Sequence, residues 1–473
     1  MRRMQRRLGW WVVGFGVLAG CTERVNVCNS DSDCTDPAYP FCDVAGEYAE
    51  SGHTVMSCSI TPDGCPIERC GCIAGLADCT GDQLTACNAE GTAVVVETCP
   101  FGCAVDGEYC SSFAPSFVPS NGLATQLAAA DGLTDIAVPD GATIDTDAGS
   151  ITGLTMPFET VLIAQPASTN LRVFVARSWA ISNARIVGSL PVAFVASRDI
   201  TIDGTLDASA DGPTPGPGGL ICEGTGAGGS PGVGFYERPR AGASAGYPEF
   251  IWAQGGFGGG GYATAGGNGG TSTSSTGAIG GPANGEPTLE PLRGGCQGSA
   301  PQTAYRGAGG GGVQLVGGVR IRVAATGVVH VGGGGAMGGD LNAANAPAGG
   351  GSGGAILIES PLIELLAGAR LNAAGGGGGG YGACPISPSG MDSPPALVVA
   401  VGGACNTMTK PSASGGDGAT TLGGGNGADT TFGGCGGGGG GGLGRVRLNS
   451  RDGGFGGAGT IRGVLSTGSL KTQ

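Results

Sequence analysis

Groups that could do acid–base chemistry are scarce in this chain of 473 residues. Apart from arginine, the basic residues are His53, His330, Lys410 and Lys471. Acidic residues at a regular spacing of four occur in one stretch, at Asp199, Asp203, Asp207 and Asp211. Carbohydrate hydrolases need paired carboxylates, and lyases need a base beside acidic residues. We therefore expect a protein that is not an enzyme, and a polysaccharide lyase or hydrolase is the alternative hypothesis.

A single cysteine, Cys21, ends an apolar stretch near the start of the chain. Four arginines among the first seven residues precede residues 8–18, whose length fits a signal peptide and is too short to span a bilayer. The motif Leu18-Ala19-Gly20-Cys21 resembles the lipobox of bacterial lipoproteins. This resemblance implies cleavage before Cys21, acylation of its thiol and new amine, and anchoring in the outer membrane. An ordinary signal peptide with an accidental cysteine is the alternative.

Twelve cysteines follow in a short segment: Cys28, Cys34, Cys42, Cys58, Cys65, Cys70, Cys72, Cys79, Cys87, Cys99, Cys103 and Cys110. An even number in an oxidising compartment predicts six disulfides of open connectivity, each contributing roughly 2 to 4 kcal/mol. A metal site at Cys70-Gly71-Cys72 and Cys99–Cys103 is the alternative, which the oxidising compartment and the lack of knuckles at matched spacing disfavour. The segment resembles the cysteine-rich modules that follow the lipobox in myxobacterial surface lipoproteins, which implies a stalk or an adhesion module.

The charge of the chain limits its partners. The formal net charge is −14, which becomes −18 when the four leader arginines are removed. Nucleic acid is excluded as a partner because phosphate binding needs clustered cations. The expected partners are the bilayer, through acylated Cys21, and glycans or surface proteins.

Short strings that alternate apolar and polar residues recur along the chain. Residues 313–333 align without a gap with residues 355–375, at an offset of 42, and residues 192–210 align with both after a two-residue deletion. Residues 171–189 are a looser copy, and residues 445–450 begin a truncated one. Matching apolar positions are Phe194, Leu315 and Leu357; Ile200, Ile321 and Ile363; Ile202, Val323 and Leu365; Leu206, Val329 and Leu371.

A period of two is typical of half-buried strands, and one copy cannot bury its inner face alone. We therefore predict a mainly β fold, a right-handed parallel β-helix or related β solenoid, in which each copy forms about one coil. A β sandwich is the alternative. Asp207 aligns with His330 and Asn372, which we interpret as a turn position.

Glycine provides 103 residues, and its longest runs separate the copies, at residues 212–312, 332–354 and 375–444. These insertions are either flexible loops or packed polyproline II strands, in which glycine permits close backbone approach. The layout resembles glycine-rich surface proteins of myxobacteria, which implies no single activity. Proximity in sequence pairs Cys222 with Cys296 and Cys384 with Cys405, which leaves Cys435 over.

Two features of the insertions are candidate ligand sites. Tyr247, Trp252 and Tyr262 are candidates for stacking on glycans, although burial as loop anchors is the favoured alternative. Gly-Gly-x-Gly starts at residues 415, 424 and 433 resemble calcium-binding β-roll repeats. Only the second supplies the aspartate, Asp429, so calcium is a weak hypothesis and we expect no cofactor.

The predicted organisation has five parts: a signal peptide at 1–20, a tether at 21–27, a disulfide-rich domain at 28–110, a linker or cap at 111–142 and the glycine-rich β solenoid at 143–473. Together these observations predict an outer-membrane lipoprotein that faces the cell surface or the periplasm. Its predicted role is structural or adhesive, with glycans or cell surfaces as binding targets.

Overall fold

A computed structural model describes most of the chain after residue 116. The described residues are 41–43, 57–59, 77–80, 83–87, 94–98, 117–166, 168–219, 222, 233–237, 250–273, 275–300, 302, 305–339, 346–382, 388–396, 398–404, 412–430 and 434–471. The chain divides into two compact units, Met1–Ser112 and Phe113–Gln473. Among the described residues, no helix has the length and apolar character that crossing a membrane requires.

The described part of the first unit consists of short antiparallel strands. They are β1 (Phe41–Asp43), β2 (Ser57–Ser59), β3 (Ala77–Thr80), β4 (Gln83–Cys87) and β5 (Val94–Thr98). Strand β1 pairs with β2, and β3, β4 and β5 form a second small sheet. In the first pair Cys42 lies directly opposite Cys58. The six disulfides of the predicted domain stay a prediction.

The second unit contains three sheets in which most neighbouring strands are parallel, and we call these three sheets the stack. The first sheet contains β9 (Glu159–Ile163), β10 (Leu171–Ala176), β13 (Val192–Ala196), β18 (Gly312–Gly317), β21 (Ala355–Glu359), β24 (Arg445–Ser450) and β27 (Val464–Ser469). The second contains β6 (Asp135–Val138), β11 (Ser178–Ile181), β14 (Asp199–Ile202), β19 (Arg320–Val323), β22 (Leu362–Leu365) and β25 (Gly456–Gly457). The third contains β7 (Ala142–Asp145), β8 (Ser150–Ile151), β12 (Ala184–Val187), β15 (Thr205–Asp207), β20 (Val328–His330), β23 (Arg370–Asn372) and β26 (Thr460–Arg462). Each of the five copies gives one strand to each sheet, so the predicted mainly β fold is confirmed.

Side chains of the same kind are stacked between the three sheets. One column of the first sheet consists of directly paired and buried residues: Phe174, Phe194, Leu315, Ile358 and Leu448. The rings of Phe174 and Phe194 lie 5.5 Å apart. The other sheets add columns through Ile200, Ile321 and Ile363 and through Leu206, Val329 and Leu371. Burial of each such side chain contributes roughly 1.5 to 3 kcal/mol, so these columns form the main core.

The predicted register is wrong at one point of the first sheet. Leu315 pairs with Ile358 and not with Leu357, whereas Ile321 pairs with Ile363 as predicted. A shift of one residue moves a side chain to the opposite face of a sheet. Leu357 is therefore buried on the outer face of the first sheet and not in the column between the sheets. All five residues of β21 are buried, and such a continuous run does not fix the register in the sequence.

Residues 117–134 cross the outer face of the first sheet as a strap. The strap contains helix α1 (Ala124–Ala129) and two short 3-10 helices, Ser120–Gly122 and Ala130–Gly132. Its side chains Phe117, Leu123 and Leu127 are buried against the sheet. At its start, Val118 N donates a hydrogen bond to Lys471 O, and at its end β6 joins the second sheet beside β11.

Both ends of the repetitive region differ from the prediction. The sheets begin at Asp135, because β6 pairs with β11, and not at residue 143. Residues 445–450 do not begin a truncated copy, because β25 and β26 continue it into the second and third sheets. Short strands such as β25, Gly456–Gly457, have too few apolar residues to be recognised by their periodicity.

All three glycine-rich insertions leave the stack at the same corner. Each follows a strand of the third sheet and ends at the next strand of the first sheet, at residues 208–311, 331–354 and 373–444. The first also contains the hairpin of β16 (Val233–Glu237) and β17 (Phe250–Gln254). Since successive copies stack in register, the insertions start beside one another.

The described parts of the insertions pack into a glycine bundle. It comprises residues 255–273, 275–281, 294–298, 307–311, 332–339, 346–354, 374–380, 388–393, 400–403, 413–419, 424–430 and 434–444. Hydrogen bonds between its segments recur every third residue, as where Gly256 N donates to Gly270 O (2.8 Å) and Gly259 N to Gly267 O (2.9 Å). A three-residue period without internal hydrogen bonds is that of polyproline II. Of the two interpretations from sequence, packed polyproline II segments describe these residues.

Candidate binding surface

Most residues predicted to carry lipid or disulfides fall outside the described residues. Cys21 is one of these, so its acylation stays a prediction. In the second unit, Cys222 and Cys296 form the disulfide predicted from proximity. Cys435 is buried beside Phe257 and Tyr381 in a small cluster of the glycine bundle. The predicted partners Cys384 and Cys405 lie outside the described residues.

Tyr262 offers no ring face to a sugar. Its side chain is 1% exposed, and its ring centroid lies 5.1 Å from Cζ of Arg293 and 5.7 Å from Cζ of Arg445. Its hydroxyl donates to Arg293 O (3.2 Å), and burial raises the pKa of the phenol. The prediction of glycan stacking at Tyr262 is therefore wrong, because cation–π contacts anchor the first insertion there. Trp252 lies in β17 opposite Phe235, and Tyr247 lies outside the described residues.

The four regularly spaced acidic residues do not form a catalytic cluster. Asp199 accepts a hydrogen bond from Arg320 Nη2 (2.6 Å), and Asp207 forms an ion pair with Arg185. Asp203 follows β14, and Asp211 lies in a turn bridged to Thr214. The carboxylates of Asp199 and Asp207 are thus each paired with a different arginine.

Asp207, His330 and Asn372 form a row on adjacent strands. They pair as in the predicted alignment, and they are the last residues of β15, β20 and β23. At two of these strand ends the side chain caps the chain that follows, as the predicted turn position implies: Asp207 Oδ1 accepts from Ser209 N (3.0 Å) and Asn372 Oδ1 from Ala374 N (3.3 Å). Their neighbours Leu206, Val329 and Leu371 point between the sheets, so this row faces outward from the third sheet.

Residues 388–394 cover two members of this row, His330 and Asn372. His330 Nε2 donates to Ser393 O (2.9 Å), and Asn372 Nδ2 donates to Pro394 O (2.8 Å). Burial lowers the pKa of His330, with Asp207 acting in the opposite direction, so the imidazole is neutral at neutral pH. Because His330 is 1% exposed, a substrate cannot reach it. The row attaches the third insertion to the stack.

The outer rim of the glycine bundle presents a regular surface. Two adjacent segments expose every third residue, and we call these residues the outer ladder: Ala265, Asn268 and Thr271, with Gly423, Asn426 and Asp429. The segments run in parallel, since Gly427 N donates to Asn268 O (2.8 Å) and Thr430 N donates to Thr271 O (2.9 Å). The bundle fixes the spacing of the ladder on both segments.

Side chains complete the hydrogen bonding of this rim. Asn426 Oδ1 accepts from Asn268 N (2.9 Å), and Asp429 Oδ1 accepts from Thr271 N (2.6 Å). Asn268 Oδ1 accepts from Gly280 N (2.8 Å), so the amide N–H groups are the donors that Asn268 can offer a ligand. Three residues of polyproline II advance roughly 9 Å. Polar groups at that interval can hydrogen-bond the hydroxyls of an extended polymer.

The sequence signal for this surface is a period of three. Gly-Gly-Asn occurs at residues 266–268 and again at 424–426. The second Gly-Gly-Asn, at residues 424–426, lies within the nine-residue repeat that suggested calcium. Asp429 uses Oδ1 on a backbone amide, and the described residues contain no group of three or more His, Cys, Asp or Glu suited to a metal ion. The geometry gives the calcium hypothesis no support.

No protein-family model, curated protein or solved structure matches this chain.

Proposed function

We propose that this chain is a structural or adhesive lipoprotein of the bacterial outer membrane. Acylated Cys21 would hold it in the bilayer, the disulfide-rich domain would act as a stalk, and the second unit would present a binding surface. Cell-surface glycans are the proposed ligands.

We further propose that the second unit is a right-handed parallel β-helix, a form of β solenoid. Support comes from the order of the strands, since each copy visits the first, second and third sheets in turn. Parallel crossover connections are right-handed in nearly all proteins. A solenoid gives one stiff scaffold on which equivalent loops fall beside one another.

The observation that carries the proposed function is the shared corner of the insertions. Insertions at that corner produce one hydrogen-bonded bundle whose rim is the outer ladder. A repeating polar rim fits an extended polymer with repeating hydroxyls better than a small molecule. The buried His330 and the dispersed acidic residues are contacts within the fold and are unsuited to cleaving such a polymer.

Two measurements on the full chain test this proposal. The Cys21→Ala variant should leave the membrane fraction, with Cys28→Ala as the control that stays; retention of the Cys21 variant would contradict the anchor. The purified chain should be retained on an insoluble polysaccharide from the panel tested, and Asn268→Ala with Asn426→Ala should weaken retention severalfold. Release of reducing sugar would favour the enzyme hypothesis, and retention by no polysaccharide would contradict glycan adhesion.

A further inference from the structure

The two ends of the stack carry opposite charge. Residues 131–163, at the first end, contain six acidic residues and no basic ones, and one of the six, Asp135, is ion-paired with Arg177 of the adjacent strand. Residues 445–471, at the last end, contain five basic residues and one acidic residue, and one of the five, Lys471, is ion-paired with Glu290. Patches of opposite charge steer surfaces together and suppress wrong pairings. The charge pattern fits the first end of one molecule to the last end of another.

Both ends of the first sheet also expose strand edges. Val464 N donates to Gly444 O, so Val464 and every second residue after it form hydrogen bonds with β24. The residues between them, Leu465, Thr467 and Ser469, direct their backbone N–H and C=O groups away from β24. At the other end, Arg172 N donates to Pro191 O, so Arg172 and every second residue after it bond to β13. The residues of β10 between them bond to β9.

The same alternation identifies the outward groups of β9. Leu171, Val173 and Val175 of β10 bond to Ile163, Val161 and Glu159. Thr160 and Leu162 therefore direct their N–H and C=O groups outward. Within the described residues, β9 and β27 are the terminal strands of their sheet. Open edges of this kind are templates for pairing with another chain.

A single register joins these edges. Glu159 stands at the head of a column of paired residues that ends at Gly468: Glu159, Val175, Val195, Val316, Glu359, Asn449 and Gly468. When β9 of a second copy continues this column beside β27, its Glu159 lies opposite Gly468 of the first copy. In the resulting antiparallel pair, Thr160 meets Thr467 and Leu162 meets Leu465. These are the residues whose backbone groups face outward on each strand.

The side chains agree with this register. Leu162 is 49% exposed and Leu465 is 40% exposed, so their contact would cover two apolar groups now in water. A Cβ on Gly468 would meet the Arg447 guanidinium, which shows that this cation lies over Gly468. Glu159 of the second copy would therefore arrive beside Arg447. The hydrogen bond between Val118 and Lys471 lies beyond the paired residues, so among the described residues nothing pairs with this edge at residues 465–468.

We propose that copies of this chain associate head to tail, with β27 of one molecule pairing antiparallel with β9 of the next. The contact joins two different surfaces, so it does not close on itself and repeats into a filament. This association does not depend on outer-membrane anchoring. Loss of glycan adhesion through the outer ladder would leave the association intact, and loss of the association would leave the adhesion intact.

Sedimentation velocity on the full chain tests the association. The wild-type chain should form a series of oligomers that lengthens with concentration. Leu162→Pro blocks the first edge and Thr467→Pro blocks the last edge, since each removes an outward N–H without breaking the ladder inside the molecule. Each proline variant alone should be monomeric. An equal mixture of the two should form dimers and nothing longer, because one open edge of each kind remains.

Matched controls keep the N–H groups. Leu162→Val and Thr467→Ala should still form oligomers, and thermal unfolding should confirm that the proline variants are folded. Should a proline variant fail to fold, Glu159→Lys serves in its place, and it should weaken association severalfold at low salt and much less at high salt. A monomeric wild-type chain, or a dimer lost with Thr467→Pro and unaffected by Leu162→Pro, would overturn the head-to-tail arrangement.

Discussion

At the scale of single residues, the buried carboxyl of Glu359 joins distant parts of the second unit. It accepts hydrogen bonds from Ser120 N (3.1 Å) and Oγ (2.9 Å), Gln314 Nε2 (2.7 Å) and Asn449 Nδ2 (3.0 Å). Ser120 Oγ also lies 3.1 Å from Glu290 Oε1. Ser120 has one hydroxyl proton, so when Glu290 accepts it, a protonated Glu359 can donate to Ser120 Oγ. This arrangement accommodates a neutral carboxyl.

Burial raises the pKa of Glu359, and the hydrogen bonds oppose this change. A raised pKa in the folded state means that the folded chain binds a proton more tightly than the unfolded chain. The stabilising contribution is fully present below the ordinary glutamate pKa. It is lost as the pH rises from that value through the raised pKa of the folded state, at no more than about 1.4 kcal/mol per pH unit.

Glu359→Gln should remove this dependence on pH. Its melting temperature relative to the wild-type chain should rise between pH 4.5 and pH 7, because the amide stays neutral while the wild-type carboxyl loses stability. Asp452→Asn, at an exposed position, is the matched control and should show a smaller change. A difference in melting temperature between Glu359→Gln and wild type that stays constant with pH would show that Glu359 ionises alike in the folded and unfolded states.

The partners of Glu359 could not be found from the sequence. Ser120, Gln314 and Asn449 are separated from it by tens to hundreds of residues and belong to no shared motif. A polar residue inside an apolar string looks like a solvent-facing strand position. Ser120 of the strap and the side chains of neighbouring strands bury this position.

At the scale of elements, the strands were predictable where only one face of them is buried. The alternation in β19 and β22 gave the correct pairing of Ile321 with Ile363. Where both faces are buried, as in β18 and β21, the apolar run admitted a shift of one residue. The strap and the first insertion, through Tyr262, Leu289 and Leu292, cause this second burial. Neither has a sequence pattern that matches a particular strand.

The glycine bundle was open to two interpretations for a different reason. Its order comes from backbone hydrogen bonds, and glycine has no side-chain pattern to reveal which segments pair. The three-residue period becomes visible only at the rim, where asparagine replaces glycine at Asn268 and Asn426. Segments inside the bundle have no such marker.

Replacing a glycine by alanine should therefore destabilise the protein more when the glycine lies in the bundle than when it lies in an exposed loop. A Cβ on Gly441 would lie far inside 3.0 Å of Gly351 O, whereas a Cβ on Gly454 would have no atom within 4 Å. Gly441→Ala should lower the free energy of unfolding by about 1 to 3 kcal/mol or more, as overpacking does. Gly454→Ala should leave it within about 1 kcal/mol of wild type. Denaturant unfolding of both variants measures this, and equal stabilities would contradict close backbone packing.

At the scale of the whole molecule, two kinds of packing meet at one corner of the stack. Between the sheets, aliphatic and aromatic columns exclude water, and in the bundle the backbone itself fills space. Each insertion is held at both ends by strands of the stack, as at β23 and β24 around the third one. The disulfide between Cys222 and Cys296 adds a covalent tie within the first insertion. The insertions should consequently behave as part of the folded core.

Amide hydrogen exchange distinguishes this behaviour from that of flexible glycine loops. Buried bundle amides, such as Gly350 N bonded to Gly439 O (2.9 Å) and Gly376 N bonded to Gly351 O (2.8 Å), should exchange as slowly as amides of β18 and β21. The exposed turn at residues 451–454 provides a control with the same richness in glycine, and it should exchange fast. Reduction of Cys222–Cys296 should speed exchange mainly in the first insertion, because the other two are held by their own strands. Exchange of the bundle as fast as the turn would mean that the hydrogen bonds recurring every third residue do not persist in solution.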